Sequence, residues 1–385
     1  MNSVVSLKQV CQRVDYGLTT SAVLGGDGPR FLRITDIDDS FVDWASVPRC
    51  TASEAESAKY ALADGDIVVA RTGASTGRSQ WVTVSEPSVF ASYLIRFRVG
   101  PEFDSRFVAY VLSSEPWFDH VLSVAHGKSA QPNMSASEMA RFRFACPPLP
   151  EQKAIAQVLG VLDDKIAANT KLAETADEVG STLTRRWLDP DVTVVLSSIA
   201  DIVMGSSPLG ADLNETGAGT VFYQGVRDFG LRFPSSRVWT TAPLRLAEPG
   251  DTLLSVRAPV GRVNLAREET CIGRGLASVR STTGQRFSLF HLLKASKEAW
   301  APFDGGGTIF GSINKGQLAS IQLPGIKQEH AGRLEDSLAA LEKLVSSALG
   351  ENAQLAQTRD SILPQLMSGR LRVKDAEKVL ENAGA

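Results

Sequence analysis

Ten arginines and no lysine lie between Arg227 and Arg286, against five acids: Asp228, Glu248, Asp251, Glu268 and Glu269. A guanidinium carries a rigid fork of donors that fits a phosphate, or the O6 and N7 of guanine. Other short runs hold complementary types. Arg71, Ser75, Thr76 and Arg78 share one run, and Lys128, Gln131 and Asn133 another. Gln224 stands near Arg227, Arg257 near Arg262, and Arg274, Thr308 and Lys315 follow. Asn and Gln can bond adenine, while Ser, Thr and Gly backbone groups suit phosphates because they donate without bulk. The chemistry these types imply is contact with duplex DNA. A solvated loop explains any one of them equally well; their recurrence as sets favours function. The net charge of -3 taken alone argues against nucleic acid, but it is a weak guide where charge is unevenly spread.

Signatures of catalysis are missing. The run Gly73-Ala-Ser-Thr-Gly77-Arg78 has three residues between its glycines and Arg where a phosphate loop needs Lys. Asp304-Gly-Gly-Gly-Thr308 is not a dinucleotide fingerprint, and no strand clearly leads into it. There is no His-Glu-x-x-His and no Asn-Pro-Pro-aromatic run. His120, His126, His291 and His330 have no Cys or acid at ligand spacing, and Cys11, Cys50, Cys146 and Cys271 form no Cys-x-x-Cys pair. Buried free thiols are therefore expected rather than zinc or disulfides. The balance shifts from enzyme to binding protein.

These residues need scaffolds to present them, and the chain writes its scaffold twice. Asp64-Gly65-Asp66-Ile-Val-Val-Ala-Arg71, followed by a small loop and Gly77-Arg78, returns in outline as Pro249-Gly250-Asp251-Thr-Leu-Leu-Ser-Val-Arg257 and Gly261-Arg262. Asn133 to Phe144 is echoed by Ser312 to Leu323, and Glu151-Gln152-Lys153 by Lys327-Gln328-Glu329. A period of about 180 residues is too long for a solenoid, so two homologous modules are expected. Strands are predicted at Phe31–Thr35, Ile67–Ala70 and Tyr93–Val99, and again at Val221–Gln224, Thr252–Val256 and Gly275–Val279. Helices are predicted at Arg106–Val124 and Leu289–Trp300.

A long helix closes each module. Ile155, Leu159, Leu162, Ile166, Asn169, Ala173, Ala176, Gly180 and Leu183 alternate steps of four and three, and so do Leu334, Leu338, Leu341, Val345, Ala348, Asn352, Leu355, Arg359, Ile362 and Leu366. Sustained heptads predict a coiled coil, and two seams in one chain most simply pair with each other. Each seam carries one Asn, which can fix register. A helix over 151–188 would run about 57 Å at its usual rise. It could act as a ruler between half-sites, since a DNA turn is roughly 34 Å. The chain's 385 residues, 43% hydrophobic and 22% charged, fit two or three globular domains. No apolar run is long enough to span a bilayer, and Met-Asn-Ser-Val-Val-Ser-Leu-Lys has no signal-peptide layout, so a cytoplasmic location is expected.

Pro147-Pro-Leu-Pro-Glu151-Gln152-Lys153 resembles the Pro-Glu-Gln start of the long helices in specificity subunits of type I restriction–modification systems. Ser361-Ile-Leu-Pro-Gln-Leu-Met-Ser-Gly-Arg-Leu-Arg372 is similar to their C-terminal motif. Segments 221–228, 271–278 and 306–315 resemble their recognition domains; Gly325-Ile-Lys-Gln-Glu329 departs from the Pro-x-x-Glu-Gln form. The resemblance implies an α+β architecture: two tandem mixed α/β target recognition domains, 1–147 and 189–325, separated by two long helices, 148–188 and 326–372, that form an antiparallel coiled coil, with a tail at 373–385. It further implies that each domain reads half of a bipartite, non-palindromic site in double-stranded DNA. The helices would dock two modification subunits, which carry S-adenosylmethionine, and two restriction subunits with ATP and Mg would join. This chain itself would bind no cofactor and catalyse nothing. Ile155, Leu159, Leu162, Ile166, Asn169, Leu338, Leu341, Val345, Asn352 and Leu355 are the expected subunit-interface residues. Two other readings stay open: a DNA-modifying enzyme, and a coiled-coil interaction protein.

Overall fold

The computed structural model describes residues 3–23, 25–37, 41–125, 133–304 and 311–383. The chain divides into two compact units, 1–169 with 350–385, and 170–349. Each long helix therefore contributes to both.

The buried apolar run Asp66–Ala70 sits inside a four-stranded antiparallel sheet ordered Cys11–Tyr16, Leu94–Val99, Asp66–Ala70, Ser79–Trp81. A second sheet of short strands pairs Arg30–Leu32 with Ser88–Phe90 in parallel. The other unit repeats this plan. Its first sheet is ordered Ala200–Met204, Leu276–Ser281, Thr252–Ser255, Val263–Leu265, and its second holds Thr220–Tyr223 parallel to Thr270–Ile272. Two sheets of matching order and sense confirm the repeat read from sequence.

The repeated Gly-Asp turns out to be a structural device. Gly65 and Gly250 take φ +84 and +88, the left-handed region where glycine is at home. Asp66 accepts from the Ala63 N–H (2.9 Å) and from Nε and Nη2 of Arg98 (both 2.7 Å) on the neighbouring strand. Asp251 repeats the set with the Glu248 N–H (2.9 Å) and with Nε (2.8 Å) and Nη2 (2.9 Å) of Arg280. Burial pushes the Asp251 carboxyl up, but its bonds from Arg280, Ser278 and Glu248 outweigh burial and hold it below the usual carboxylate range.

Helices fall close to expectation, with breaks. The predicted helix at 106–124 is two, Ser105–Val111 and Glu115–Ala125; Pro116 stands in the first turn of the second, where a missing N–H costs nothing. The other is Arg286–Ala295 and Lys297–Trp300. The long helices span Leu149–Trp187 and Ala331–Met367. A further helix, Val373–Ala383, occupies most of the predicted tail. No helix among the described residues is long and apolar enough to cross a membrane.

The long helices run antiparallel. In the first unit Asn169 Nδ2 donates to Glu351 (2.7 Å), Asn352 Nδ2 to the Ile166 carbonyl (3.2 Å), and Arg359 Nη1 to Asp163 (2.8 Å), so one number falls as the other rises. Both seam asparagines thus fix register by cross-helix bonds. In the second unit Ala173 and Ala176 pack with Val345. The seam corrects the interface expectation. Ile155, Leu159, Leu162, Ile166 and Leu355 belong to the first unit's own core, and Asn169, Leu338 and Val345 are buried as well. Leu341 and Asn352 are half-buried. A side chain already covered inside the chain offers no surface to a second subunit. The apolar groups the long helices leave exposed are Val161, Leu172, Val179 and Leu344.

Candidate nucleic-acid interface

In the second unit the parallel strands Thr220–Tyr223 and Thr270–Ile272 both end in polar loops, and a hydrogen-bonded chain ties those loops together. Asp228, buried in the turn after Gln224, accepts from the Gln224 N–H (2.9 Å) and from Arg237. The Arg274 N–H donates to Ser207 Oγ (3.2 Å), which in turn donates to Gln224 Oε1 (2.9 Å). Gln224, Arg227 and Arg257 line one cleft, with Glu215 and Arg237 on its walls. Arg257 bridges to Ser312, which brings the Lys315 turn alongside, and Asn314 caps that turn by accepting from the Gln317 N–H at 3.0 Å.

The arginine excess separates into two groups. Arg232 is buried against Asp177 (2.6 Å) and Glu342 (3.3 Å), Arg280 holds Asp251, and Arg237 holds Asp228. Arg267 lies over Phe233 and Arg286 over Phe287. Arg227, Arg245, Arg257, Arg262, Arg274 and Lys315 are exposed and form no ion pair among the described residues. The charge count alone could not make that division.

In the first unit Arg71 Nη2 donates to Asn133 Oδ1 (3.1 Å), and its guanidinium lies 4.8 Å from the centre of the Tyr16 ring. Ser75 and Thr76 lie in or beside the tight turn Gly73–Ser75, where Thr76 Oγ1 donates to the Gly73 carbonyl (2.7 Å). Arg78 is exposed and lines a separate cleft with Arg106, Tyr110 and Arg359. Lys128, Gln131 and Thr308 lie outside the described residues.

The two arginine loops match with one register correction. Ala70 N bonds the Arg78 carbonyl and Ser255 N the Arg262 carbonyl (both 2.8 Å), so Arg78 and Arg262 are equivalent. Thr72 bridges to Asn133, however, as Arg257 does to Ser312. Arg257 therefore stands where Thr72 stands, and the counterpart of Arg71 is Val256. One residue along a strand reverses the facing of the side chain. Arg71 is accordingly half-buried against Tyr16, whereas Arg257 is exposed. Both loops close on a glycine at positive φ backed by tryptophan-bearing helices: Gly77 (φ +89) accepts from Trp117 Nε1 at 2.7 Å, and a Cβ on Gly261 (φ +85) would lie 2.2 Å from Trp300 Cγ.

Sequence reading missed Ser207, Glu215 and Tyr16. Tyr16-Gly17 and Met204-Gly205 end equivalent strands, and a Cβ at Gly17 or Gly205 would meet a carbonyl oxygen at 2.2 or 2.1 Å. That strand-end glycine, one repeat apart, was the available signal. Among the described residues no group of three or more His, Cys, Asp or Glu could hold a metal. Cys50, Cys146 and Cys271 are buried, and burial pushes the Cys11 thiol up to about 12.

The family model for the type I restriction modification DNA specificity domain matches residues 28–177. A specificity subunit assigned to the type I restriction enzyme MjaX of Methanocaldococcus jannaschii is 27% identical over 399 positions, covering 96% of this chain and 94% of that one. Over 28–177 by the family model, and over nearly its whole length by this relative, the chain is similar to type I restriction–modification specificity subunits. The crystal structure of a type I restriction–modification S subunit from M. genitalium covers 95% of this chain and 96% of its own at TM-score 0.55 and 14% identity, a likeness of fold. The HsdS subunit from Thermoanaerobacter tengcongensis is 22% identical over 96% of this chain and 97% of its own, at TM-score 0.37.

Proposed function

We propose that this chain is a type I specificity subunit and that it selects DNA by reading one half of a bipartite site with each module. The observation that carries the reading is the repeated loop architecture. In both units a Gly-Arg turn, a capped short helix and two parallel strands recur, and in the second unit Arg227, Arg245, Arg257, Arg262 and Arg274 stand exposed with no ion pair among the described residues. Module boundaries at 1–147 and 189–325, with the long helices between and after them, fit that division of labour. Two modification subunits dock on the outward faces of the long helices, and two restriction subunits join the assembly. S-adenosylmethionine, ATP and Mg bind those partners, and the lone chain catalyses nothing. The spacing of the two half-sites follows from the helix pair, and the cytoplasm is where the assembly meets DNA.

The test is a methylome of a host carrying the chain with its modification partner, set against the same host with the chain deleted. Loss of N6-methyladenine at one bipartite motif supports the reading. A motif that persists unchanged without the chain refutes it.

A further inference from the structure

Resting on that reading, we infer that the second module's half-site contains a G·C pair, read in the cleft of Gln224, Arg227, Arg257 and Glu215. The argument is hydrogen-bond polarity. The Arg274 N–H donates to Ser207 Oγ, and the single hydroxyl proton of Ser207 goes to Gln224 Oε1. In this arrangement Gln224 turns its oxygen towards Ser207 and its NH2 outward. Gly273 makes room for it: a Cβ there would lie 2.8 Å from Gln224 Oε1. Adenine is read by an amide that both accepts from N6 and donates to N7. Gln224, with its oxygen already engaged, is shaped to donate.

The remaining groups agree. Both carboxylate oxygens of Asp228 are spent inside the protein, on the Gln224 N–H and on Arg237. Arg227 and Arg257 add donors and no acceptors. Guanine offers two major-groove acceptors, O6 and N7, and no donor there, so it complements this set better than any other base. The one cleft carboxylate without an ion pair among the described residues, Glu215, suits the N4 amine of the paired cytosine. Donors for the purine and a single acceptor for the pyrimidine describe one base pair.

The full chain is co-expressed with its modification partner in a host lacking other adenine methylation, and the genomic DNA of that host is the probe. Arg227→Ala, Arg257→Ala, Glu215→Gln and Ser207→Ala are compared with the parent by long-read detection of N6-methyladenine. We expect a G·C position in one half-site to relax, with discrimination there falling about 5- to 150-fold in the arginine variants. Ser207→Ala, a positioning change, should admit A·T at that same position while the other half-site stays intact. Arg71→Ala, in the first module, should leave that position untouched. Variants that lower methylation evenly without altering the motif, or a motif whose two halves hold only A·T pairs, overturn the inference and leave the specificity reading standing. A methylome with no chain-dependent motif overturns both.

Discussion

His291 makes the second unit acid-sensitive. It lies on the helix Arg286–Ala295, 3% exposed, and burial pushes its pKa down to about 3, reinforced by Arg232 and Lys294 and opposed by Asp177. Its Nδ1 makes no hydrogen bond among the described residues. The folded pKa lies below the ordinary value of 6.5, so the unfolded chain takes up the proton first. Stability from this group is complete above 6.5 and is lost as pH falls towards 3. At pH 5 the gap between 6.5 and 5 gives about 2 kcal/mol of loss, at 1.36 kcal/mol per unit. Glu342, raised chiefly by burial, works in the opposite direction, because a carboxyl raised in the fold gains stability as pH falls. The His291 contribution is therefore isolated by difference. Hydrogen exchange of amides 286–295 is followed at pH 7 and pH 5, corrected for intrinsic rates, in the parent and in His291→Gln. The parent should lose about 2 kcal/mol more protection than the variant on acidification. Equal losses would refute the assignment of a buried neutral imidazole.

Arg232→Met leaves the buried Glu342 without its ion-pair partner, while Asp177 keeps Lys294, and should cost the second unit about 3 kcal/mol in urea unfolding; a loss under about 1 kcal/mol would show that water reaches Glu342. Gly261→Ala must take φ +85 and meet the Trp300 ring, whose Nε1 is held by the Leu293 carbonyl at 3.0 Å, so it should destabilise by more than about 2 kcal/mol. Gly77→Ala meets only Val121 methyls and should cost less, a ranking that melting curves decide. Gln152 is buried, accepts from the Asp104 N–H (2.9 Å) and donates to the Pro147 carbonyl (2.8 Å), so Gln152→Ala should cost about 1–3 kcal/mol, whereas exposed Glu151→Ala should be near neutral in the same titration.

Strong periodicity made the scaffold legible. The heptads forecast both long helices and their pairing, the antiparallel sense came from the family resemblance, and the central strands Asp66–Ala70 and Thr252–Ser255 came from short apolar runs bounded by turns. Legibility failed where long-range contacts decide. Ten arginines look alike in a row of letters, yet Arg232 is a buried ion-pair partner and Arg227 an exposed donor, because acids distant in sequence, Asp177 and Glu342, meet only the first. The same holds for the seam: its residues were identified, but what covers them, the chain's own core and the opposite long helix, was not. The register of Arg71 against Arg257 was lost because the first loop has one residue more after its strand, which sequence similarity absorbs and backbone bonding does not.

The division of the arginines also bears on how, under the proposed function, a chain of net charge -3 would read DNA. Affinity for duplex DNA comes mostly from phosphate neutralisation, whereas specificity comes from base edges. Between Arg227 and Arg286 the second unit pairs Arg232, Arg237 and Arg280 with its own acids, lays Arg267 and Arg286 over aromatic rings, and leaves Arg227, Arg245, Arg257, Arg262 and Arg274 exposed with no ion pair among the described residues. If two of those read bases, few remain for phosphates, and a module built this way discriminates more than it adheres. Under the proposed reading that weakness is functional. Joining two selective, weakly adhering modules in one chain raises the effective concentration of the second once the first is seated. Only a site matched in both halves then holds the assembly, while partner subunits supply the non-specific grip that this chain does without.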